Sequence, residues 1–209
     1  QAMNTTNAGS TSLGSTDNIF IGRDAGGGTW ADAVSQMNVA IGNYTLDAAL
    51  NATNYNVAIG HESMTDMTAG VENVAVGRRT MFEATTADYT VTIGASAGYN
   101  ITTGNNNTLV GYQAGIRVQD KSDNTHIGYQ AGLYATGSYN TFVGSQAGYG
   151  GTTTSAPYAS GEYNTAVGYL AMQNFGESDD NVAIGYYAGQ NVSGSGATQI
   201  VYIGSAAGQ

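Results

Sequence analysis

A short phrase recurs along the whole chain: Asn, two or three apolar or Thr residues ending in Ile or Val, then Gly, two variable residues, a small residue, and Gly or Met. It reads Asn38-Val39-Ala40-Ile41-Gly42, Asn56-Val57-Ala58-Ile59-Gly60, Asn107-Thr108-Leu109-Val110-Gly111 and Asn181-Val182-Ala183-Ile184-Gly185, among others. The central glycines run from Gly22 through Gly42, Gly60, Gly77, Gly94, Gly111, Gly128, Gly144, Gly168 and Gly185 to Gly204, and most intervals are 16 to 18 residues. A repeat this short cannot bury its own apolar side. Only stacking on its neighbours gives it a core, so the period by itself predicts a solenoid.

With the Asn of each repeat as position zero, position three is Ile or Val throughout and position one is β-branched throughout. Both preferences suit an extended strand, and residues one and three share a face. These two columns are expected to line the interior of each coil. Position two points the other way and is also apolar, as Phe20, Ala40, Ala58, Ala75, Leu109, Phe142, Ala166, Ala183 and Tyr202, with only Thr92 and His126 polar. A strand apolar on both faces is normally covered on both. The expectation is that position two is the subunit interface of a homo-oligomer.

Glycine at position four reads as a corner, where positive φ or close backbone approach excludes a side chain. Small residues at position seven, such as Ala25, Ser63, Ala97 and Ala114, suggest a second tight contact. Asn at position zero either forms a side-chain ladder or satisfies corner backbone groups, and Thr90 and Ile200 interrupt it. The predicted fold is therefore an all-β parallel β-roll or β-solenoid of about eleven coils of ~17 residues, rising roughly 50 Å at ~4.8 Å per strand. Residues 1–17 read as a lead-in and 18–209 as the array. Longer loops are expected near 26–37, 149–163 and 190–199, and they serve as spacers or as a binding surface.

Composition narrows the class. There are 31 glycines but one proline, and Gly does not recur every third residue, which excludes collagen. No apolar run of about 18 residues is present to insert in a membrane as a helix. With five basic residues and a net charge of −10, electrostatic binding to nucleic acid or an anionic membrane is not expected. There is no cysteine, so disulfide and thiol chemistry are absent, and Gln1 in place of Met suggests a processed or truncated product.

Chemistry is sparse. Gly94-Ala95-Ser96-Ala97-Gly98 matches a nucleophile elbow in letters, but it stands in register with Gly111-Tyr112-Gln113-Ala114-Gly115, which has no nucleophile. His61 and His126 fall at different repeat positions and cannot share a metal. Asp179 and Asp180 beside Glu177 read as a solvated acidic turn, so no metal site, cofactor or catalytic residue is assigned. Tyrosines gather at position five, as Tyr112, Tyr129, Tyr169 and Tyr186. They either stack on sugars or shield the corner between coils. With Trp30 and Tyr158 in the longer loops they form the candidate receptor or glycan contact.

The phrases at Asn38–Gly42 and Asn56–Gly60 resemble the head repeats of trimeric autotransporter adhesins of the YadA-like type. The longer phrase Asn124-Thr125-His126-Ile127-Gly128-Tyr129-Gln130-Ala131-Gly132 resembles repeats of bacteriophage tail fibres and related surface fibres. The resemblance covers nearly the whole chain. It implies a homotrimeric, left-handed parallel β-roll without enzymatic activity, extracellular on a virion fibre or a cell surface, that contacts a receptor or glycan. It also implies a further fibre or chaperone domain beyond Gln209. The period near 17 is longer than that of typical adhesin heads. The reading is a structural fibre segment, first a phage tail fibre contributing to host attachment and second a bacterial adhesin. A monomeric ice-binding or polysaccharide-binding solenoid is the rival.

Overall fold

The computed structural model of the chain describes residues 15–28, 34–151, 159–192 and 198–208. Each repeat contributes one three-residue strand, and the strands stack in chain order into one parallel sheet. They are β1 (Ile19–Ile21), β2 (Val39–Ile41), β3 (Val57–Ile59), β4 (Val74–Val76), β5 (Val91–Ile93), β6 (Thr108–Val110), β7 (Thr125–Ile127), β8 (Thr141–Val143), β9 (Thr165–Val167), β10 (Val182–Ile184) and β11 (Val201–Ile203). The chain is a parallel β-solenoid, as the period requires. We number the coils by their strands.

Register is kept across the unequal intervals. Ile19 pairs with Val39, Thr141 with Thr165 and Val182 with Val201, so the longer connections at 26–37, 149–163 and 190–199 leave the stack undisturbed. Part of each of those connections lies outside the described residues. No helix among the described residues is long and apolar enough to cross a membrane.

Three left-handed corners bend every coil, at positions minus one, six and eight. Asp17, Asp24 and Gly26 make them in coil 1, and Tyr89, Ser96 and Gly98 in coil 5. A non-glycine residue in this conformation costs about 1–2 kcal/mol. The stack holds it there, because in the inner coils each corner's N–H is tied to an adjacent coil: Tyr44 donates to the Arg23 carbonyl at 2.9 Å and Ser96 to Arg78 at 2.9 Å. Position four is stricter. At Gly42 φ is 139°, and a Cβ there would meet the Gly60 carbonyl oxygen at 2.5 Å. Successive backbones stack too closely at this corner for any side chain, and that accounts for the unbroken glycine column.

The Asn column is a continuous ladder. The Asn56 N–H donates to Asn38 Oδ1 at 3.0 Å, and the Asn73 N–H donates to Asn56 Oδ1 at 2.9 Å. Most of these Asn also use Nδ2 to clip the chain ahead, Asn56 to the Gly70 carbonyl at 2.8 Å and Asn73 to the Ala87 carbonyl at 2.6 Å, whereas Asn124 Nδ2 donates to the Ser122 carbonyl of its own coil. Thr90 does not break the ladder, as the sequence suggested it would. Its N–H donates to Asn73 Oδ1, and its Oγ1 accepts the Asn107 N–H at 3.3 Å. Ile200 donates its N–H to Asn181 and has no side-chain oxygen to pass the ladder on. A second ladder runs in the opposite sense two residues earlier, where the Asp88 N–H donates to Asn105 Oδ1 and the Asn105 N–H to Ser122 Oγ. Buried peptide groups that no strand pairs are thus satisfied by side chains.

The interior is the reverse of the expected one. Position two is buried inside the coil: Phe20, Ala40, Ala58, Ala75, Leu109, Phe142, Ala166 and Ala183 are all core residues, together with Thr92 and His126. Positions one and three face out, partly or fully exposed, on every strand. The coil is narrow, so its interior accepts at most one large side chain across positions two and eight. The bulky β-branched columns are left outside. Tyr202, on the last coil, is partly buried.

The core is closed by positions seven, eight and eleven, and the volumes at two and eight are reciprocal. Where position two is large, as Phe20, Leu109, His126 or Phe142, position eight is Gly26, Gly115, Gly132 or Gly148. Where position two is Ala40, Ala58, Ala75 or Ala166, position eight is Leu46, Met64, Met81 or Met172, each fully buried. In coil 10, where Ala183 faces Gly189, the Val192 and Tyr202 side chains take the space. Close packing with at most one large group across positions two and eight explains why the repeat ends in Gly or Met.

Candidate interaction face

Positions minus one, one, three and five share the outer face of the sheet. Position minus one is exposed on every coil, and position five is exposed on all coils but those of Ala95 and Ser145, which are half-buried. Between these rims runs the apolar band, in which Ile21, Ile93 and Ile203 are 51%, 42% and 68% exposed. A row of Thr lies within it: Thr108, Thr125, Thr141 and Thr165 are paired neighbours on β6 to β9.

The tyrosines expected at position five lie on one rim. Tyr112 and Tyr129 stack with ring centroids 5.6 Å apart and 12° between planes, and Tyr169 and Tyr186 stack at 5.6 Å and 15°. Tyr187, at a left-handed corner, meets the edge of Tyr186. Within each pair the ring faces are turned to one another, with no room for a sugar ring between them. The column offers edges and hydroxyls to a partner.

Trp30 and Tyr158 lie outside the described residues. The set expected as subunit interface, Phe20, Ala40, Ala58, Ala75, Leu109, Phe142, Ala166 and Ala183, is inside the coil and unavailable to a second chain. The outward apolar columns are at positions one and three.

Sequence reasoning missed the opposite rim. Tyr55, Tyr89, Tyr139 and Tyr163 stand immediately before position zero and are all exposed. Tyr139 and Tyr163 stack at 4.8 Å with 1° between planes. The signal was a Tyr directly before Asn in three repeats and before Thr90 in a fourth.

The remaining polar candidates are absorbed by the repeat. Ser96 occupies the same left-handed corner as Gln113 and Gln146. Asp179 accepts the Glu162 N–H at 2.7 Å as part of the second ladder. His61 lies at the surface 3.4 Å from Glu62, which also accepts from Arg79. That hydrogen bond, ahead of the charges of Arg79, His61 and Arg78, holds the Glu62 carboxyl below its usual range. His126 is fully buried and stacks on Phe142 at 4.9 Å. Burial pushes its pKa down to about 3, so the ring is neutral. Among the described residues no group of His, Asp or Glu could hold a metal ion.

No family model, no curated protein and no solved structure matches the chain.

Proposed function

We propose that the chain is a structural segment of a homo-oligomeric surface fibre, trimeric by resemblance, that projects from a particle or cell and contributes to attachment. The observation that carries this reading is the outward apolar band. Together with its two rims it forms a face of about 50 Å by 20 Å, on the order of 1,000 Å², near the ~800 Å² that each partner buries in a stable interface. A face of that size with an unbroken exposed Ile/Val stripe along a rod marks an interaction surface. Positions one and three would then line a shared interior, the role expected of position two.

A phage tail fibre is the first assignment and a bacterial adhesin the second, and both rest on the resemblance of the repeats. Attachment would be multivalent, with identical faces adding weak contacts. The test of the fibre reading is the molar mass by light scattering across a dilution series. A dilution-resistant trimer is expected, and a monomer at all concentrations overturns it. Deletion of 152–158, which brings the 24-residue Gly144–Gly168 interval to the common 17, tests the attachment reading: binding to host cells should fall while circular dichroism is unchanged.

One observation favours a second reading. The outward Thr row on β6 to β9, beside Val110, Ile127, Val143 and Val167, is a regular flat array of the kind that could bind ice. It spans four coils and is Val or Ile elsewhere. Thermal hysteresis from a monomeric chain would establish it, and its absence at micromolar protein retires it.

A further inference from the structure

The two rims of the outer face carry opposite charge. Position minus one holds Asp17, Glu72, Asp123 and Asp180 and no basic residue. Position five holds Arg23, Arg78 and His61 and no acid. Asp17 and Arg23 belong to coil 1, and Glu72 and Arg78 to coil 4. Members of each pair are six residues apart on opposite rims, and no ion pair joins them within the chain. Glu72 and Arg78 are both exposed, and neither has an ion-pair partner within 4 Å among the described residues. Arg23 is engaged locally, 3.5 Å from Asp24 and 4.5 Å above the Tyr44 ring.

Symmetry decides what these rims can meet. If copies are related by rotation about an axis parallel to the stack, the minus-one rim of each faces the position-five rim of the next at the same height. Glu72 of one copy then faces Arg78 of its neighbour, Asp17 faces Arg23, and Asp123 and Asp180 face the Tyr129 and Tyr186 hydroxyls. If the faces pack antiparallel about a perpendicular two-fold, each rim meets itself and coil 4 meets coil 8. That arrangement puts Glu72 opposite Tyr139 and Arg78 opposite Ser145, and pairs no charge.

We infer that the outer face binds further copies of this chain, parallel and in register, with the acidic rim of each copy against the basic and tyrosine rim of the next. The inference rests on the fibre reading and adds its orientation and register. Apolar burial drives association, and the rim charges select one alignment among those the uniform Ile/Val band would permit, since a slip by one coil would pair the same apolar columns but separate Glu72 from Arg78.

The absence of cysteine from residues 1–209 allows a direct test in this chain. Glu72→Cys and Arg78→Cys are introduced together, and the protein is oxidised and run on a denaturing gel. Most of the chain is expected in covalent species up to the mass of the native oligomer, whereas each single variant stays uncross-linked. A wild type that is oligomeric by light scattering but gives no cross-link in the double variant overturns the pairing and leaves the fibre reading standing. Cross-linking of Glu72→Cys with Tyr139→Cys instead shows the antiparallel arrangement and overturns it equally. A monomeric wild type defeats both readings together.

Discussion

Phe142 and Gly148 fill together the space that Ala166 and Met172 fill in the next coil: a Cβ built on Gly148 would strike the Phe142 ring, and Met172 is fully buried beside Ala166. The pair is one packing unit written in two arrangements. Phe142→Ala alone should destabilise by about 3–5 kcal/mol through the cavity it leaves. Gly148→Met alone should be destabilising by overpacking, by at least about 1–3 kcal/mol. The double variant copies coil 9 and should recover at least half of the loss of Phe142→Ala in guanidinium denaturation. Additive losses would show that the two positions do not share a volume.

Acid should weaken the stack through His126. Its folded pKa is depressed to about 3 by burial, and the unfolded group titrates near 6.5. Between those values the unfolded chain binds the extra proton, so stability rises with pH there. The contribution is complete above pH ~6.5, is lost at up to roughly 1.4 kcal/mol per pH unit on acidification, and levels off below pH ~3. His126→Phe places in coil 7 the Phe and Gly pair already present in coil 8. The difference in unfolding free energy between wild type and variant, measured from pH 7 to 4, should grow as pH falls. A constant difference would mean that the buried ring does not titrate on unfolding.

The Asn ladder predicts an order among substitutions at one site. Asn56 accepts the Asn73 N–H and donates to Gly70 and Asn38. Asn56→Ala leaves buried peptide groups unpaired, at about 1–3 kcal/mol each. Asn56→Thr should cost less, because Thr90 shows that a hydroxyl can carry the ladder. Asn56→Asp keeps the acceptor but sets a carboxylate oxygen against the Gly70 carbonyl and should cost the most. Guanidinium denaturation reads the series, with stability expected in the order Asn, Thr, Ala, Asp, whereas at the Asn73 amide itself only Asn56→Ala removes the acceptor.

Ala58 and Ile59 are adjacent, yet one is 0% exposed and the other 36%. Ala58→Asp puts an unpaired charge in the core and should abolish the β circular-dichroism signal. Ile59→Asp should retain it and lower the oligomer mass at equal concentration. A folded Ile59→Asp variant with the oligomer mass of the wild type would show that the outer face does not hold copies together.

The sequence by itself determined the solenoid, its eleven strands and their register, because the Asn, Ile/Val and Gly columns each answer to a local requirement. Extended backbone wants β-branching. A corner at which carbonyls stack against the neighbouring Cα admits only glycine. Buried peptide groups need the Asn amide. Which face of the strand lies inside was undetermined, since positions one, two and three are apolar alike and alternation gives period without direction. Only the tertiary structure decided it, through the width of the coil: the interior has room for one large side chain across positions two and eight, so Ala58 pairs with Met64 and Phe142 with Gly148, and Ile59 is turned outward. The minus-one tyrosines became a rim for the same reason. Residues that read as loop in one dimension are brought by the left-handed corner at Tyr55 and its equivalents to the edge of the outer face.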